Sequence, residues 1–444
     1  MVPLPRLGMG TAPIGNLYRA VSDAQARATL EAAWDAGIRY FDTAPHYGFG
    51  LAERRLGAML AERDTSGSAL LSTKVGRLLA PTRAQGERHG FVDADPFEPV
   101  FDYSADAIRR SFEESCRRIG RDRIDLLLAH DLGHVTHGAA HEAHLRAFLD
   151  SGYGAMRDLR DAGAVRAIGI GVNEVAICET LLDHVELDVI LLAGRYTLLD
   201  RSADRLLDRC AAQGVRLIVG GPYNSGILAR DLTGPLRFDY AAPSAAVLDR
   251  ARALADICAG FGASLPAAAL QFPLRHPQVA CVIPGLVGAD QVADTVQRLA
   301  KPLPEALWPA LDAALRPTAF QAGAPALLQD DARLILLHPQ DNVLICVRPI
   351  EAGDILPASG GTIPAREGIA IGHKLARTSL AAGDKVIKYG APIGSMKTPS
   401  ASSTVWSRGR RRRFRTSGPT TVGPVTTTSA PKRAASAQGQ ASHK

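Results

Sequence analysis

Residues 38–50 read IRYFDTAPHYGFG, a stretch in which a strand pattern gives way to a polar loop. Its β-branched and aromatic residues favour a buried strand that ends at Asp42. Thr43, Ala44 and Pro45 then interrupt regular structure, so Tyr47 is expected in the loop that follows. An acid and a tyrosine at the carboxyl end of a strand lie where parallel α/β proteins place their chemistry. Alone, the stretch is more simply explained by a capping aspartate and a packing tyrosine, so its meaning depends on the rest of the chain.

Seven further apolar runs of strand length recur in the first 300 residues or so, each followed by a helical pattern. Ser22 and Gln25 form a capping-box start for the first helix. The runs are apolar throughout rather than alternating, as a parallel sheet covered by helices requires. Eight βα units predict a (β/α)8 TIM barrel, and the missing GxGxxG after the first strand argues against an open doubly wound sheet. The seven runs are Leu7–Ile14, Ala69–Lys74, Ile124–Ala129, Ala164–Val172, Leu187–Ala193, Val215–Gly220 and Val279–Pro284.

The sequence pattern changes after the eighth βα unit. Short β runs with turn signals replace the βα rhythm, and IEAGDIL (350–356) recurs as LAAGDKV (380–386) thirty residues later. This pattern predicts a small β-rich domain, followed by a disordered tail of Ser, Thr, Pro, Gly and Arg. The predicted segments are a barrel over 1–322, a linker over 323–330, the β-rich domain over 331–395 and the basic tail over 396–444.

The overall charge of +6 is produced by the tail. Residues 396–444 contain ten Lys and Arg and no acidic residue, so residues 1–395 carry a net charge of −4. A mildly acidic folded part predicts no nucleic-acid partner for it. Six cysteines without a CxxC pair predict reduced thiols, and the absence of a signal pattern or a membrane-length apolar run predicts a cytoplasmic protein.

Polar residues of complementary type follow three successive predicted strands. Asp42 and Tyr47 follow the second strand, Lys74 the third and His130 the fourth. A phenol has an ordinary pKa of about 10, so it needs a neighbouring cation to act as a base near neutral pH. We expect Lys74 to supply that cation, Asp42 to orient Lys74, and His130 to donate a hydrogen bond to a substrate oxygen. Because the strand ends of a barrel converge, these four residues are predicted to form one catalytic site.

The set resembles the Asp/Tyr/Lys/His tetrad of the aldo-keto reductase superfamily, over roughly residues 1–320. The strings DTAPHYG (42–48), AGRYTLLD (193–200) and GGPYNSGIL (220–228) resemble the D-threo-aldose 1-dehydrogenase group, which includes L-fucose dehydrogenases. That group is similar to L-galactose and pyridoxal 4-dehydrogenases. The resemblance implies NAD(P)-dependent oxidation of the C1 hydroxyl of an aldose to the lactone, in sugar catabolism, with Tyr47 taking the hydroxyl proton. It leaves L-fucose, D-arabinose and L-galactose open as substrates.

The resemblance also implies cofactor contacts. Asn173 occupies the position that binds the nicotinamide carboxamide, and Arg195 lies where many relatives have a glutamine that contacts the ring. Gly220 replaces the tyrosine that usually stacks on the nicotinamide, and Tyr223 is the candidate substitute. The remaining expected contacts are Asn224, Ser225 and Gly226 at the pyrophosphate, and Asp294 and Thr295 at the adenosine end.

The segment IPGLVGADQVADT (283–295) favours NAD over NADP. NADP-preferring relatives carry Lys or Arg here, against the 2′-phosphate. In this chain Gly285, Val287 and Gly288 occupy the region, and no cation lies between Ile283 and Gln297. A 2′-phosphate would lack its charge-assisted partners, so we expect NAD, with NADP as the alternative.

A second polar cluster consists of histidines spaced 3, 4 and 3 residues apart, as on a helix face. Gly138 interrupts the run, and no cysteine or carboxylate from a second strand converges on it by pattern. A solvent-exposed insertion is therefore favoured over a metal site. The histidines are His134, His137, His141 and His144.

The β-rich segment resembles the SAF domain of altronate dehydratase-type sugar-acid hydro-lyases. The strings are HPQDNVLICVRPIEAGD (338–354), IAIGHKLA (369–376) and VIKYGAPIG (386–394). His338 and His373 are candidate contacts for a sugar acid, with a structural role as the alternative. The catalytic domain of that family is not visible, so we expect no independent dehydratase activity. An oxidised and hydrolysed aldose gives the aldonate that such enzymes consume, so the pairing favours an aldose over pyridoxal.

The resemblance to the SAF family ends after Gly394 and Ser395, where the basic tail begins. We hypothesise that the tail arises from a shifted reading frame or junction. Resequencing the coding DNA tests this, because an intact frame with no closing strand in another frame contradicts it. Alternatives to the dehydrogenase are a general aldehyde or ketone reductase, a non-catalytic nucleotide-sensing protein on a reductase scaffold, and a bifunctional dehydrogenase–dehydratase. The sequence leaves the oligomeric state open.

Overall fold

The computed structural model describes most of the barrel and much of the C-terminal part. The chain divides into two compact units, Met1–Arg316 and Pro317–Lys444. The predicted linker, His338 and most of the predicted tail lie outside the described residues. The described residues are 2–315 apart from 231, 234, 235 and 240, together with 333–335, 341–358, 361–365, 368–371, 373–376, 380–388, 391–396 and 405–406.

Eight parallel strands follow one another in chain order around the sheet of the first unit. Bridges between Leu7 and Val282 and between Gly10 and Gly285 bring the last strand to the first, so the sheet is a nearly closed barrel. The predicted TIM barrel is confirmed. The strands are β1 (Met9–Gly10), β2 (Tyr40–Asp42), β3 (Leu70–Val75), β4 (Ile124–His130), β5 (Val165–Val172), β6 (Val189–Ala193), β7 (Arg216–Gly220) and β8 (Val279–Ile283).

A helix follows each strand along the chain. The first begins as predicted, with the Ser22 hydroxyl accepting a hydrogen bond from the Gln25 amide at 3.2 Å. The eight helices are α1 (Asp23–Asp35), α2 (Leu51–Arg63), α3 (Ala105–Ile119), α4 (Tyr153–Asp161), α5 (Val175–Leu182), α6 (Asp204–Gln213), α7 (Ala245–Gly260) and α8 (Ala289–Ala300). Further helices are Ala12–Gly15, His134–His137, Gly138–Ala140, His141–Ala147, Phe148–Gly152, Leu265–Gln271, Pro273–Arg275 and Leu307–Leu315.

Two segments differ from the sequence-based expectation. The predicted first strand shrinks to β1, because a short 3-10 helix, Ala12–Gly15, starts around Pro13. Prolines at positions 81, 96 and 99 favour a loop before α3, but Arg77–Pro81 and Phe97–Phe101 pair as an antiparallel hairpin. A two-stranded ribbon tolerates proline because each strand is an edge, where an amide need not be donated.

Two buried clusters divide the core of the barrel. The larger one lies between the strands and the helices and includes Phe41, Leu127 and Ile168. The smaller one contains the residues that alternate with these along the strands, such as Tyr40 and Leu128. Because successive side chains of a strand point to opposite faces, the smaller cluster fills the interior of the barrel.

All six cysteines of the chain are free thiols, and five of them are buried. Within the described residues, no single helix has the length and apolarity needed to cross a membrane. Ala245–Gly260 and Leu265–Gln271 reach that length and apolarity only when counted together, with a bend of 99° between them.

The second unit is β-rich. Its described residues include a four-stranded antiparallel sheet and two hairpins. The sheet is made of Leu334–Ile335, Val343–Cys346, Lys374–Ala376 and Val405–Trp406, and the hairpins of Ile355–Ala358 with Gly361–Pro364 and Lys385–Lys388 with Ala391–Ser395. Val405–Trp406 pairs with Lys374 and Leu375, so regular structure continues beyond the predicted boundary at 395.

The repeat noticed in the sequence has the same conformation in both copies. Gly353 and Gly383 have positive φ angles of 95° and 92°. The carboxylate of Asp354 accepts from the Glu351 amide at 2.9 Å, and that of Asp384 accepts from the Ala381 amide at 2.7 Å. Each turn leads into one of the hairpins, as the sequence predicts.

Candidate active site

The inner face of the barrel carries the four predicted catalytic residues to one end. Tyr40 and Asp42 share the inner face of β2, Ser72 and Lys74 that of β3, and His130 follows Leu128 on β4 in the same alternation. Parallel pairing of β2, β3 and β4 aligns their carboxyl ends. The strand period and the register therefore place these polar groups above an apolar interior.

Lys74 lies at the centre of the hydrogen bonds in the site. Its ammonium donates to both carboxylate oxygens of Asp42, at 2.9 and 2.7 Å, and to the backbone oxygen of Thr43 at 2.9 Å. It also donates to the Tyr47 hydroxyl at 3.0 Å. Lys74 and Asp42 are only 1% and 2% exposed. The structure thus brings Asp42, Tyr47 and Lys74 together as the sequence predicts.

The pKa of Tyr47 departs from the expectation that Lys74 lowers it. Burial raises this pKa well above its ordinary value, and the charges of Asp42 and Asp131 raise it further, while Arg77 opposes them. The physical reason is that the Lys74 charge is balanced by Asp42, so the pair brings no net positive charge to the phenol. Burial likewise lowers the pKa of Lys74, against the opposing effect of Asp42. Because its pKa is raised, Tyr47 is a neutral phenol near pH 7.

His130 faces Tyr47 across the site. Their rings are perpendicular, with centroids 6.0 Å apart. Burial lowers the pKa of His130 well below its ordinary value, and the Arg77 and Lys74 charges lower it further, so the imidazole is neutral near pH 7. The Tyr103 hydroxyl donates to the His130 backbone oxygen at 2.6 Å and fixes the end of β4. A neutral imidazole with one N–H suits the predicted role of hydrogen-bond donor.

Two glycines allow close packing around the catalytic residues. Gly48 has a φ of 66°, and a Cβ there would lie 2.4 Å from the Gly15 backbone oxygen, so the Tyr47 loop packs directly on the loop after β1. A Cβ on Gly171 would lie 3.0 Å from the Lys74 side chain. The absent side chain at Gly171 leaves room for the stem of the lysine.

Asn173 and Arg195 follow β5 and β6, at the same end of the barrel. The side-chain oxygen of Asn173 is buried and accepts no hydrogen bond within the described residues. The Arg195 guanidinium donates to the Asn173 backbone oxygen at 2.7 Å and pairs with Asp200 and Asp239 at 3.2 and 2.8 Å. Arg195 therefore fixes the backbone of Asn173, and both carboxylates compete with any ligand for its N–H groups.

The loop after β7 contains the predicted pyrophosphate contacts. Asn224, Ser225 and Gly226 have φ angles of 44°, 58° and 95°, three consecutive residues in the left-handed region. Such strain is typical of ligand-binding loops. The Asn224 amide group donates to the Gly194 oxygen at 3.1 Å, while its side-chain oxygen is buried without a partner among the described residues. Burial raises the pKa of Tyr223, and its buried hydroxyl has no hydrogen-bond partner among the described residues.

The loop after β8 has few free groups. Gly285 packs on Pro13, where a Cβ would lie 2.7 Å from the proline ring. The amide of Gly288 donates to the Thr29 hydroxyl at 2.8 Å, and that of Val287 to the Gln291 side chain at 3.0 Å. At the end of the same region, Asp294 pairs with Arg298 at 3.4 Å and Thr295 is buried.

Comparison with known proteins identifies the family. Residues 6–316 match the Aldo/keto reductase family. The chain belongs to this family. A pyridoxal 4-dehydrogenase of Microbacterium luteolum is 43% identical over 69% of this chain and 92% of its own length. A D-threo-aldose 1-dehydrogenase of a Pseudomonas species is 40% identical over 71% of this chain and 95% of its own length.

Solved structures agree with this assignment. An aldo-keto reductase of Bacillus halodurans in its holo form superimposes with a TM-score of 0.55 and 26% identity, over 70% of this chain and 91% of its own. Aldo-keto reductases use a nicotinamide cofactor, and the buried Asn173 oxygen fits its carboxamide, because the –NH2 group of an amide is a donor.

The C-terminal unit matches a second family. Residues 332–403 match the altronate/galactarate dehydratase SAF domain, eight residues beyond the predicted boundary at 395. An altronate dehydratase of Bacillus subtilis is 45% identical over 60 residues, which cover 14% of this chain and 12% of that protein. The aldo-keto reductase barrel is thus joined to a SAF domain that spans about an eighth of this curated relative.

One cavity of the barrel is lined by none of the four predicted catalytic residues. Its volume is about 670 Å³, and it adjoins the loop after β7 and the helix α8. Arg298 lines it and is paired with Asp294, whereas Arg230 lines it and forms no ion pair with any residue that the structure describes. Arg230 also reaches Gly226, where a Cβ would lie 3.3 Å from its guanidinium. No motif in the sequence indicates this cavity.

The histidine cluster is packed by aromatic contacts. The rings of His137 and His144 lie 4.3 Å apart, and His137 also packs on Phe101 at 4.8 Å. The Nε2 atom of His137 lies 2.9 Å from the Tyr103 hydroxyl. Within the described residues, no group of three or more His, Cys, Asp or Glu has the arrangement of a metal site.

Two charged residues of the site were missed in the sequence. Arg77, three residues after Lys74, donates to the carboxylate of Asp131, the residue after His130. The Asp131 oxygen that accepts this bond lies 3.5 Å from His130 Nε2. The dipeptide His-Asp at the end of a strand was the available signal. Ser72 was missed as well, and its hydroxyl donates to Asp42 at 2.7 Å.

Proposed function

We propose that the barrel is an NAD-dependent dehydrogenase that oxidises the C1 hydroxyl of an aldose to the aldonolactone. The observation that supports it most directly is the position of the Lys74 ammonium, which contacts the Tyr47 hydroxyl and both oxygens of Asp42. This arrangement joins a proton-transfer group to a buried charge pair that tunes it. A protein that only binds a nucleotide has no need of such a pair, so the non-catalytic alternative is disfavoured.

In the oxidative direction Tyr47 takes the proton of the C1 hydroxyl, and His130 donates a hydrogen bond to the same oxygen. Lys74 holds the phenolate by its hydrogen bond, and Asp42 keeps the ammonium charged and fixed. A bound oxidised nicotinamide supplies the acceptor for the hydride that leaves C1, and it also brings a positive charge. When bound, that charge would favour loss of the Tyr47 proton, which burial of the phenol otherwise opposes. In reduction Tyr47 donates the same proton to the carbonyl oxygen.

The preference for NAD rests on the loop after β8. Gly285 and Gly288 carry no charge, and the Val287 and Gly288 amides already have partners. A 2′-phosphate placed there would be desolvated without compensation. Asn224, Ser225 and Gly226 are proposed for the pyrophosphate, and the cavity with Arg230 for the adenosine end. Arg230, which lines this cavity and has no ion pair with any described residue, is a feature that favours NADP.

An aldose is preferred over pyridoxal as substrate because the barrel is joined to a SAF domain. Lactone hydrolysis gives the sugar acid on which altronate dehydratases act, so the two domains suit one catabolic route. A pyridoxal 4-dehydrogenase activity is the second candidate, since that relative is 43% identical. No dehydratase activity is proposed for the chain itself.

The test is the rate of reduced nicotinamide formation with NAD and L-fucose, D-arabinose, L-galactose or pyridoxal. Tyr47→Phe is expected to lower kcat by about 10²- to 10⁴-fold, the usual contribution of a general base. Tyr153→Phe is the matched control, because it also removes one hydroxyl with one hydrogen bond, to the Glu186 backbone oxygen, on the surface. Equal rates for Tyr47→Phe and wild type would show that the mechanism is wrong.

A further inference from the structure

The Arg77–Asp131 pair adjoins the catalytic residues but has no part in the Asp42–Lys74–Tyr47 relay. Arg77 is almost completely buried and donates to one carboxylate oxygen of Asp131. The Asp131 side chain is 19% exposed, and its second oxygen accepts no hydrogen bond from any residue that the structure describes. Arg77 thus fixes the carboxylate of Asp131 beside His130, with its second oxygen able to accept a hydrogen bond.

The backbone at Asp131 is strained. Its φ angle of 45° lies in the left-handed region, which residues with a Cβ seldom adopt. The Asp131 amide donates to the Gly171 oxygen at 2.9 Å, which continues the pairing of β4 with β5 and holds the residue in this conformation. Strain of this kind is typical of functional positions, where the surrounding structure determines the direction of a side chain.

The distance between Asp131 and His130 indicates what the carboxylate recognises. The Asp131 oxygen that accepts from Arg77 lies 3.5 Å from His130 Nε2, the nitrogen assigned to the reacting oxygen of the substrate, and the second oxygen belongs to the same carboxylate. In a sugar, the hydroxyl oxygen on the carbon next to the reacting carbon lies about one hydrogen-bond length from the reacting oxygen. A reacting oxygen held by His130 therefore brings its neighbour within reach of Asp131.

We propose that Asp131, held by Arg77, accepts a hydrogen bond from the C2 hydroxyl of the aldose and is a specificity-determining residue. This inference rests on the proposed aldose 1-dehydrogenase activity. A carboxylate oxygen suits a hydroxyl donor, and a substrate without that hydroxyl leaves the second Asp131 oxygen without a hydrogen bond. The competing role is that Asp131 only orients His130, in which case the loss of Asp131 affects every substrate alike.

The experiment compares D-arabinose with its 2-deoxy counterpart, at saturating NAD, in wild type, Asp131→Asn and Asp131→Ala. The readout is the ratio of the two kcat/KM values within each variant. Any loss of folded enzyme, or any disturbance of His130, cancels in this ratio. The control is Asp95→Asn, which changes an aspartate of equal 19% exposure, paired with Arg54 outside the site.

In wild type we expect the ratio to favour D-arabinose by about 10- to 100-fold, the range for a hydrogen bond to a charged group. In Asp131→Ala the ratio is expected to fall close to one, through a loss of activity on D-arabinose alone, and Asp131→Asn to lie between. Asp95→Asn keeps the wild-type ratio. Equal losses on both sugars in the Asp131 variants overturn the inference and leave the proposed function intact. Absence of oxidation of any aldose by wild type overturns both.

Discussion

Breaking the Asp42–Lys74 pair from either side is expected to destabilise the barrel, with opposite dependence on pH. Both side chains are almost completely buried, so removing one partner leaves the charge of the other buried without a counter-charge. Lys74→Met leaves the Asp42 carboxylate with the Ser72 hydroxyl as its one side-chain donor among the described residues. Asp42→Asn leaves the ammonium with the Thr43 oxygen and the Tyr47 hydroxyl as its other acceptors. Breaking a buried pair costs about 3–5 kcal/mol.

The remaining partner of the pair limits this loss of stability by changing to its neutral form. In Lys74→Met the pKa of Asp42 in the folded state rises above its unfolded value of about 3.9, so stability falls as pH rises, by up to about 1.4 kcal/mol per pH unit and about 4 kcal/mol at pH 7. In Asp42→Asn the pKa of Lys74 falls below its unfolded value of about 10.4, so stability falls as pH decreases, by about 4–5 kcal/mol at pH 7.

The assay is urea unfolding of the full chain at about pH 5, 7 and 9, each variant being compared with wild type at the same pH. A Trp406→Phe background leaves Trp34 and Trp308 of the barrel as the fluorescent reporters. The double variant Asp42→Asn/Lys74→Met is expected to lose less stability than the sum of the single variants, without their pH dependence, because no charge is stranded.

Asp95→Asn is the control, since its partner Arg54 is 52% exposed and such pairs contribute about 0–1 kcal/mol. The reasoning is refuted if both single variants change with pH in the same direction, or if the double variant loses the full sum.

Three further outcomes are expected. Because the pKa of Tyr47 is raised, kcat/KM for oxidation rises with pH through the alkaline range, and that for reduction falls over the same range; parallel profiles would contradict the role of Tyr47. Arg230→Ala is expected to raise the KM for NADP roughly fivefold and to leave that for NAD unchanged. The control is Arg109→Ala, which removes a surface guanidinium paired with Asp158 away from this cavity. Equal KM shifts for both cofactors would exclude a contact with the 2′-phosphate. Finally, the chain yields no 2-keto-3-deoxy acid from an aldonate, as measured by assay of that product, and its formation would establish the bifunctional alternative.

The part of the site that the sequence predicts follows from the period of a strand. Asp42, Lys74 and His130 each lie two residues beyond an inner-face residue of their strand, and parallel strands end together. Neither step requires the conformation of a loop. The contact of Arg77 with Asp131 does, because it depends on the positive φ angle of Asp131 and on the start of the hairpin at Arg77. The prolines of that hairpin indicate a loop, so the sequence does not predict the two strands.

The pKa of Tyr47 shows a second limit of the sequence. The presence of a lysine near the phenol was predicted, but the effect of that lysine depends on what else neutralises it. Because Lys74 donates to both oxygens of Asp42, the negative carboxylate offsets most of the effect of the ammonium on Tyr47. Electrostatic influence is a property of the whole group of charges, and the distances that decide it are absent from the sequence.

The balance of charge around Tyr47 explains how one site serves both directions of the reaction. With Asp42 and Lys74 neutralising each other, burial keeps the phenol protonated, ready to donate its proton to a carbonyl oxygen. The oxidised nicotinamide carries a positive charge that the reduced form lacks, so its binding lowers the cost of the phenolate at the moment when a base is needed. Binding of the oxidised cofactor would therefore favour the phenolate of Tyr47, and Lys74 would donate a hydrogen bond to the Tyr47 oxygen in either protonation state.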